Sequence, residues 1–321
     1  MALPEILTKG LRIPAVASPM FIVSTPELVL AQCKAGIIGS FPALNARGEG
    51  EFERWLIRIT EELDAYNQAN PDQPAAPYAV NQIVHGSNPR LHEDLELCVK
   101  YKVPIMITSL GAKQEVNDAA HSYGGITLHD IINNTFAKKA IAKGADGLIA
   151  VAAGAGGHAG TTSPFALIQD IRSWFNGPLL LSGSIGNGGA ILAAQAMGAD
   201  LGYIGSAFIA TEEANAVAGY KQMICDSDAE DIVYSNLFTG VHGNYLKPSI
   251  TNAGMDPEKL PEGDISTMNF NSGGDQDSKV WKDIWGCGQG IGAVKDVVPT
   301  AELVERLIRE YDAAKARLSI S

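Results

Sequence analysis

The clearest candidate for chemistry is one histidine inside a segment that has almost no side chains. Residues 153–160 read Ala-Gly-Ala-Gly-Gly-His-Ala-Gly, so His158 is the only titratable group in the stretch. An imidazole with a solution pKa near ~6.5 can accept or donate a proton at neutral pH. Glycine tolerates positive φ and lets a ligand approach the backbone closely. The pattern predicts an acid/base residue beside a bound molecule, with His85 and His129 as lower-ranked candidates.

Two segments rich in glycine and serine predict a second function, the binding of a phosphate. They contain Ser182-Gly183-Ser184 and Gly205-Ser206, and each follows an apolar run. Backbone N–H groups of such turns, together with a helix N-terminus, form a positive concavity that suits an anion. The alternative interpretation is a pair of tight turns with serine caps on the following helices.

The spacing of these glycines indicates which phosphate compound would bind. No GxxxxGK[ST] loop is present, and residues 183–188 (GSIGNG) lack the dinucleotide spacing and its acidic partner. A mononucleotide cofactor is therefore favoured over ATP or NAD. The amide of Asn81 can both donate and accept hydrogen bonds, which suits the pyrimidine edge of a flavin. Pro19 and Met20 could pack against a flat ring.

Eight short apolar runs, bounded by Gly, Pro or Asn, predict the strands that would position these residues. Most are apolar throughout, which is typical of parallel strands covered on both faces. The predicted strands are residues 15–20, 36–41, 78–84, 103–110, 125–130, 147–153, 178–185 and 201–208.

Segments with helical spacing separate the strands, the last of them at residues 212–226, and several end in Gly or Ala-Asp, as at Gly198-Ala199-Asp200. Eight strand and helix pairs in series predict a (β/α)8 barrel, with a doubly wound open sheet as the alternative. The carboxyl ends of the strands form the active site of such a barrel. We therefore expect the histidine and both glycine-serine segments at one mouth.

The chain divides into three predicted parts. Residues 1–226 form the barrel, and residues 227–299 form an excursion that caps its mouth. Residues 300–321 begin with apolar positions at helical spacing, which predicts a final helix packed on the barrel wall.

The cap supplies further candidates. His242, Tyr245 and Lys247 are expected to contact the substrate, since their segment lies over the mouth. Trp281 and Trp285 could fill a core or an interface in a homo-oligomer.

Composition excludes several classes of function. The net charge of −12 would repel a phosphate backbone, so nucleic-acid binding is not expected. No apolar run reaches the ~18 residues of a membrane helix. Cys33, Cys98, Cys225 and Cys287 are far apart and form no close pair, which predicts reduced thiols, no metal site and a cytoplasmic location.

With these features together, the sequence resembles the nitronate monooxygenases, flavin enzymes built on a (β/α)8 barrel. Residues 155–160 resemble the AGGHxG signature of that family, and the resemblance covers nearly the whole chain. Supporting matches are Ser18-Pro19-Met20, Val80-Asn81, Ser182-Gly183-Ser184, Gly198-Ala199-Asp200, Gly205-Ser206, Trp285 and Gly288-Gln289-Gly290.

The resemblance implies a cofactor, a catalytic residue and a reaction. His158 takes the position of the catalytic histidine, and a small alkyl nitronate is oxidised with O2 to a carbonyl compound and nitrite. Protonated, the histidine would attract the nitronate; neutral, it would remove the α-proton of a nitroalkane. The implied FMN-binding residues are Pro19, Met20, Asn81, Val151, Gly156, Ser182, Gly183, Ser184, Gly205 and Ser206.

Four positions depart from the family pattern. Val151 stands where many members have glutamine, and Gly154 replaces a frequent glutamate. Asp130 falls near a position where some relatives have lysine, which could alter flavin electronics. His242 interrupts a motif that often reads TGVP.

Two other functions are compatible with the same residues. Related flavin enzymes that share the glycine-histidine motif reduce quinones or enoyl-acyl carrier proteins with NAD(P)H, so an FMN-dependent reductase is the alternative. A barrel that binds a phosphate ligand without catalysis is a second alternative, for which His158 would be dispensable.

Overall fold

The computed structural model describes residues 3–263 and 283–319, so the predicted cap residue Trp281 lies outside the described residues. In chain order the strands are β1 Ala15–Ala17, β2 Gly39–Pro42, β3 Tyr78–Ile83, β4 Ile105–Ser109, β5 Ile126–Ile131, β6 Gly147–Val151, β7 Gly157–His158, β8 Leu179–Ser182, β9 Leu201–Ile204, β10 Ile232–Ser235 and β11 Gly243–Leu246.

Eight of these strands form the predicted barrel. Strands β1 to β6, β8 and β9 are parallel, and the sheet has the order β1-β9-β8-β6-β5-β4-β3-β2. A parallel bridge between Val16 and Ile38 joins β1 to β2 and closes the ring. The (β/α)8 prediction is therefore confirmed, and the open sheet is not found.

Helices follow the strands, and local sequence explains several of their ends. The helices are α1 Pro26–Ala35, α2 Glu51–Ala69, α3 Leu91–Lys100, α4 Gln114–His121, α5 Asn134–Ala142, α6 Pro164–Arg172, α7 Gly188–Met197, α8 Ser206–Ile209, α9 Ala218–Asp226, α10 Lys247–Asn252 and α11 Thr300–Leu318. Proline opens α1 and α6, where its missing N–H has no cost. The side chain of Asn133 caps α5 by accepting from the Phe136 N–H, and Gly198 ends α7 in the left-handed conformation.

Two predicted elements have different bounds. Residues 206–208, predicted as the end of the eighth strand, instead begin helix α8, because β9 ends at Ile204 and the Phe208 N–H bonds to the Gly205 carbonyl. The helix predicted from residue 212 begins only at Ala218, since the preceding segment pairs with Val298 near the start of α11.

The barrel interior shows how strand alternation places polar groups at the mouth. One buried cluster inside the barrel contains Ala79, Ile107, Leu128, Ile149 and Leu180. Because side chains alternate along a strand, the position two residues further on also points inward, one layer closer to the mouth. That layer contains Asn81, Ser109, Asp130, Val151 and Ser182.

A small cap lies over the mouth. Strands β10, β11 and β7 form an antiparallel sheet in which His158 is opposite Gly243. Behind this sheet Tyr245, Ile250 and Ile284 form a separate buried cluster. Helix α11 packs against α1 and α7 on the barrel wall. Within residues 3–263 and 283–319, no helix has the length and apolar character needed to cross a membrane.

Candidate active site

The strand ends open into a cavity of about 1690 Å³. Its lining comes from the loops after the barrel strands and from the cap residues Phe238, Thr239 and Val241. The cavity brings together most of the residues predicted from sequence. Those that line it are Pro19, Met20, Asn81, Val151, Gly156, His158, Ser182, Gly205 and Ser206. Gly183 and Ser184 follow β8 but are not part of the described lining.

His158 is held in place by the cap. Its Nε2 lies 2.8 Å from the Thr239 Oγ1, and the Thr239 hydroxyl donates to the carbonyl oxygen of Val241 at 3.0 Å. Since that hydroxyl proton is used for Val241, the Thr239 oxygen accepts from His158, which places the imidazole proton on Nε2. Nδ1 is then the unprotonated nitrogen of the neutral ring.

The environment of His158 sets its charge. Burial lowers the pKa of His158 from 6.5 to about 4. The imidazole is therefore neutral at pH 7, so it can accept a proton and does not attract an anion in its resting state. His129 also lines the cavity and has a pKa lowered to about 4 by burial, but its Nδ1 pairs with the Thr108 hydroxyl.

Three side chains on the adjacent strands β3, β4 and β5 form a hydrogen-bonded relay, by which we mean a chain of hydrogen bonds, in the cavity lining. The Asn81 Nδ2 donates to the Ile107 carbonyl at 3.2 Å and to the Ser109 Oγ at 2.8 Å. The Ser109 hydroxyl in turn donates to the Asp130 Oδ2 at 2.6 Å. Both amide hydrogens of Asn81 are thus used within the protein. Its carbonyl oxygen is the atom that remains to contact a ligand.

Two buried polar atoms near this relay have no hydrogen-bond partner among the described residues. They are the Asp130 Oδ1 and the Tyr203 hydroxyl, and both residues line the cavity. Burial raises the pKa of Asp130 to about 6 and that of Tyr203 well above its usual range. A buried polar atom without a partner costs about 1–3 kcal/mol, so a ligand with matching polar atoms would stabilise this site.

The glycines near His158 make room for the cap. A Cβ on Gly156 would lie 2.7 Å from the backbone nitrogen of Gly288, and one on Gly154 would lie 2.1 Å from the Ser184 Oγ. Both glycines are therefore required by close packing of the protein on itself, in addition to any approach of a ligand. Gly154 also has a φ of +83°, a left-handed conformation in which a glutamate would be strained.

The predicted phosphate site is divided. The Gly188 N–H, at the start of α7, donates to the Glu310 Oε2 at 2.9 Å, so a carboxylate from α11 already occupies that helix N-terminus. Gly205 and Ser206 line the cavity where β9 passes into the short helix α8. Barrels often bind phosphate in that position. The Ser206 hydroxyl accepts from the Gly288 N–H at 2.8 Å, which ties this turn to the cap.

The three predicted substrate contacts lie outside the described lining of the cavity. The His242 ring stacks on Tyr234, with ring centroids 5.0 Å apart, beside a separate pocket of about 270 Å³. Tyr245 is fully buried in the cap, and the Lys247 Nζ pairs with the Glu258 Oε1 at 2.8 Å. The described contacts of these three side chains are with other residues of the cap.

Sequence reasoning missed Thr239, Ser109 and Tyr203. Ser109 and Tyr203 were detectable in principle, because each is two residues beyond an apolar inward position, Ile107 or Leu201. Thr239 gave no such signal, since it is 81 residues from His158 along the chain.

The fold and the site together define an enzyme of the (β/α)8 class with its histidine at the carboxyl ends of the strands. The family model of nitronate monooxygenase matches residues 51–310. The chain belongs to the nitronate monooxygenase family and is an oxidoreductase.

Individual relatives are distant. The chain is 27% identical to a nitronate monooxygenase of Paraburkholderia phytofirmans, over 94% of this chain and 93% of the relative. It is 23% identical to a Rhodococcus jostii enzyme named as a hydroxy-methyl-oxo-octahydro-indene-carboxyl-CoA dehydrogenase, over 78% of this chain and 67% of the relative.

Solved structures share the fold. A nitroalkane oxidase from Streptomyces ansochromogenes superimposes with a TM-score of 0.80 at 23% identity, covering 98% of this chain and 100% of the other. FabK from Thermotoga maritima gives a TM-score of 0.76 at 20% identity, covering 98% and 96%. These identities establish a common architecture only.

Proposed function

We propose that the protein is an FMN-dependent nitronate monooxygenase that converts alkyl nitronates and O2 to carbonyl compounds and nitrite. The observation that carries the proposal is His158, neutral at pH 7 and oriented by Thr239, at the wall of a cavity large enough for a cofactor and a substrate. Single small ligands usually occupy about 300–1,000 Å³, and this cavity has about 1690 Å³.

The lining fits the polar edge and the flat ring of a flavin. The Asn81 carbonyl can accept a hydrogen bond, while the Asp130 Oδ1 and the Tyr203 hydroxyl are unpaired polar atoms that a ring edge with donors and acceptors would satisfy. Pro19 and Met20 offer apolar contact beside them. At the other side the Gly205–Ser206 turn would hold the phosphate.

The division of labour follows from these placements. When bound, FMN supplies the electron-transfer chemistry that side chains lack. The Nδ1 of neutral His158 accepts the α-proton of a nitroalkane, and the loss of that proton gives the nitronate anion. The resulting imidazolium is a charge partner for the nitronate, while Thr239 keeps the ring oriented through Nε2.

The test compares two substrates in the His158→Ala variant loaded with FMN. A nitroalkane must lose its α-proton before oxidation, whereas its preformed nitronate has already lost it. We expect kcat/KM for nitroethane to fall by about 10²–10³-fold. The fall for ethyl nitronate should be at least tenfold smaller. His242→Ala is the control, because His242 lies outside the described lining, and it should leave both values unchanged.

Anaerobic spectra separate this function from the reductase alternative. Bleaching of the bound flavin by propionate 3-nitronate, with no change on addition of NADH, supports the proposal. Bleaching by NADH alone overturns it in favour of a reductase. Equal loss of nitroethane and ethyl nitronate turnover in His158→Ala would contradict the role of His158 as the base.

A further inference from the structure

The described lining of the cavity has a charge opposite to that of the protein. The chain carries 36 acidic and 24 basic residues, yet Asp130 is the one acidic residue among the described lining residues. Four cations line the same cavity: Arg47, Arg90, Lys139 and Lys143. A cleft lined by one sign of charge raises the local concentration of ligands with the opposite sign.

These cations come from other strand ends than the proposed phosphate turn. Arg47 follows β2 and Arg90 follows β3, while Lys139 and Lys143 belong to α5 or its C-terminal end. Gly205 and Ser206 follow β9, which is two strands from β2 and three strands from β3 and β5 around the ring. Arg90 is already paired with Asp94 at 2.8 Å, so three of the four cations have no ion pair to a described residue. Of these three, Lys139 and Lys143 lie on α5 and at its C-terminal end, so they are the pair suited to a second anion.

Exposed apolar side chains accompany these cations in the described lining. Phe21, Ile132 and Phe136 line the cavity although 37–47% of their surface is exposed. The guanidinium of Arg47 lies 5.1 Å from the Phe21 ring centroid, and the Lys139 ammonium lies 5.8 Å from that of Phe136. Ile132 and Phe136 are close in the chain and both line the cavity, so two apolar side chains share this edge of the cavity with Lys139 and Lys143. Clustered apolar side chains beside a cavity, unlike a single exposed residue, indicate a binding surface.

Helix α5 arranges these groups in a line. Phe136, Lys139 and Lys143 are spaced i, i+3 and i+7, which places them on one face of a helix. At 1.5 Å per residue, Lys143 lies about 10 Å beyond Phe136 along the axis. The part of the cavity lined by Phe136, Lys139 and Lys143, which we call the groove, therefore changes from apolar at the mouth to cationic further out.

We propose that the natural substrate is an extended amphiphile, with an apolar body in the mouth and a distal carboxylate or phosphate on the α5 cations. The inference deepens the proposed function, since the reacting nitronate would lie by His158 and the remainder of the molecule would follow this groove. It extends the sequence-based expectation of a small alkyl nitronate, because the cavity and its rim provide room and charge that a two- or three-carbon substrate does not use.

The experiment measures binding by calorimetry, with three unreactive probes added to the FMN-loaded protein. Decanoate has both the chain and the anion, butyrate has the anion with a short chain, and decyltrimethylammonium has the chain with the opposite charge. We expect decanoate to bind at least tenfold more tightly than either of the others. Because no turnover is required, this result is independent of whether nitronates are oxidised.

Matched variants locate the site. Lys139→Ala combined with Lys143→Ala should weaken decanoate by about three- to tenfold, as expected for two partly screened ion pairs. Lys138→Ala is the control, because Lys138 lies over the Trp174 ring and outside the described lining. Phe136→Ala should weaken decanoate by about tenfold, whereas Phe165→Ala, at an exposed aromatic outside the described lining, should not.

Three outcomes would overturn the inference, and a fourth would reject the proposed function alone. Equal binding of decanoate and decyltrimethylammonium would exclude the cationic end of the groove. If the double lysine variant and the Lys138→Ala control changed the affinity for decanoate equally, the anion would bind elsewhere. A third outcome is that decanoate does not bind, whereas NADH binds and its affinity is lower in the variant with both lysines replaced. The groove would then hold a dinucleotide instead. Chain-length-dependent binding without nitronate turnover would leave the groove established and reject the monooxygenase function.

Discussion

His158 depends on a residue that is distant in sequence. Thr239 accepts from Nε2 and donates to Val241, so one hydroxyl fixes both the orientation and the tautomer of the imidazole. Burial then keeps the ring neutral at pH 7. These two effects account for a base in the resting enzyme that becomes a cation only after it has taken a proton from the substrate.

Asp130 makes a prediction about pH and stability. Burial raises its pKa from 3.8 to about 6, against the hydrogen bond from Ser109, so the folded protein favours the protonated carboxyl. The stability from this group is present below about pH 4 and is lost as pH rises through about 6, by about 3 kcal/mol in total. The Asp130→Asn variant has no carboxyl group to ionise at this position, so it should keep this stability as the pH rises.

Urea denaturation of the cofactor-free protein at about pH 4 and pH 8 measures this difference. We compare the free energy of unfolding of Asp130→Asn with that of the wild type at each pH. The difference in favour of the variant should be about 3 kcal/mol larger at pH 8 than at pH 4. Asp72→Asn, at an exposed position, is the control. A difference for Asp130→Asn that does not change with pH would show that the carboxyl is not buried in its ionised form.

At the scale of elements, the contact between α7 and α11 shapes one side of the site. Glu310 from α11 accepts from the Gly188 N–H at the start of α7, and Tyr311 donates to the Gln195 Oε1 at 2.5 Å. The two helices approach so closely that a Cβ on Gly188 would lie 2.1 Å from the Leu307 carbonyl oxygen. The last helix therefore occupies a position where the sequence predicted a phosphate.

Two neighbouring glycines test this packing. Gly188→Ala must push α11 away and should lower the free energy of unfolding by about 2 kcal/mol or more. Gly189→Ala meets only ordinary contacts, at 3.4 Å or more, and should be neutral or stabilising by up to about 1 kcal/mol. Thermal and chemical unfolding of the two variants gives the comparison. Equal stabilities would mean that α11 is not packed against this turn.

At the scale of the whole molecule, the charge of the cavity lining differs from the net charge of the chain. The chain has 36 acidic residues, but the described cavity lining contains four cations and one acidic residue, Asp130, so the acidic excess does not extend into the described site. The four cysteines are all buried in the packed interior. Burial raises the pKa of each thiol, to about 12 for Cys33 and Cys98.

A thiol titration follows from that burial. Ellman's reagent should react slowly with the native protein, because the thiolate forms only rarely and is inaccessible, and should find four thiols after unfolding in urea. Ser319→Cys, at an exposed position, is the control and should add one fast thiol. Fewer than four thiols in the unfolded wild type would show that some of the cysteines are oxidised.

The sequence by itself determined the barrel, because eight apolar runs and the helices between them are local patterns with a fixed period. It also located His158, the Gly205–Ser206 turn and Asn81, since the barrel places every strand end at one mouth. Local spacing can go this far because strand alternation and helical period depend on neighbouring residues alone.

Only the tertiary structure decided which partners those residues meet. Thr239 orients His158, Glu310 fills the N-terminus of α7, and Tyr245 turns into the cap core instead of the cavity. These contacts join residues far apart in the chain, and the packing of the cap and the last helix selects them. The charge state of His158 has the same origin, because it depends on how completely the assembled fold removes the ring from water.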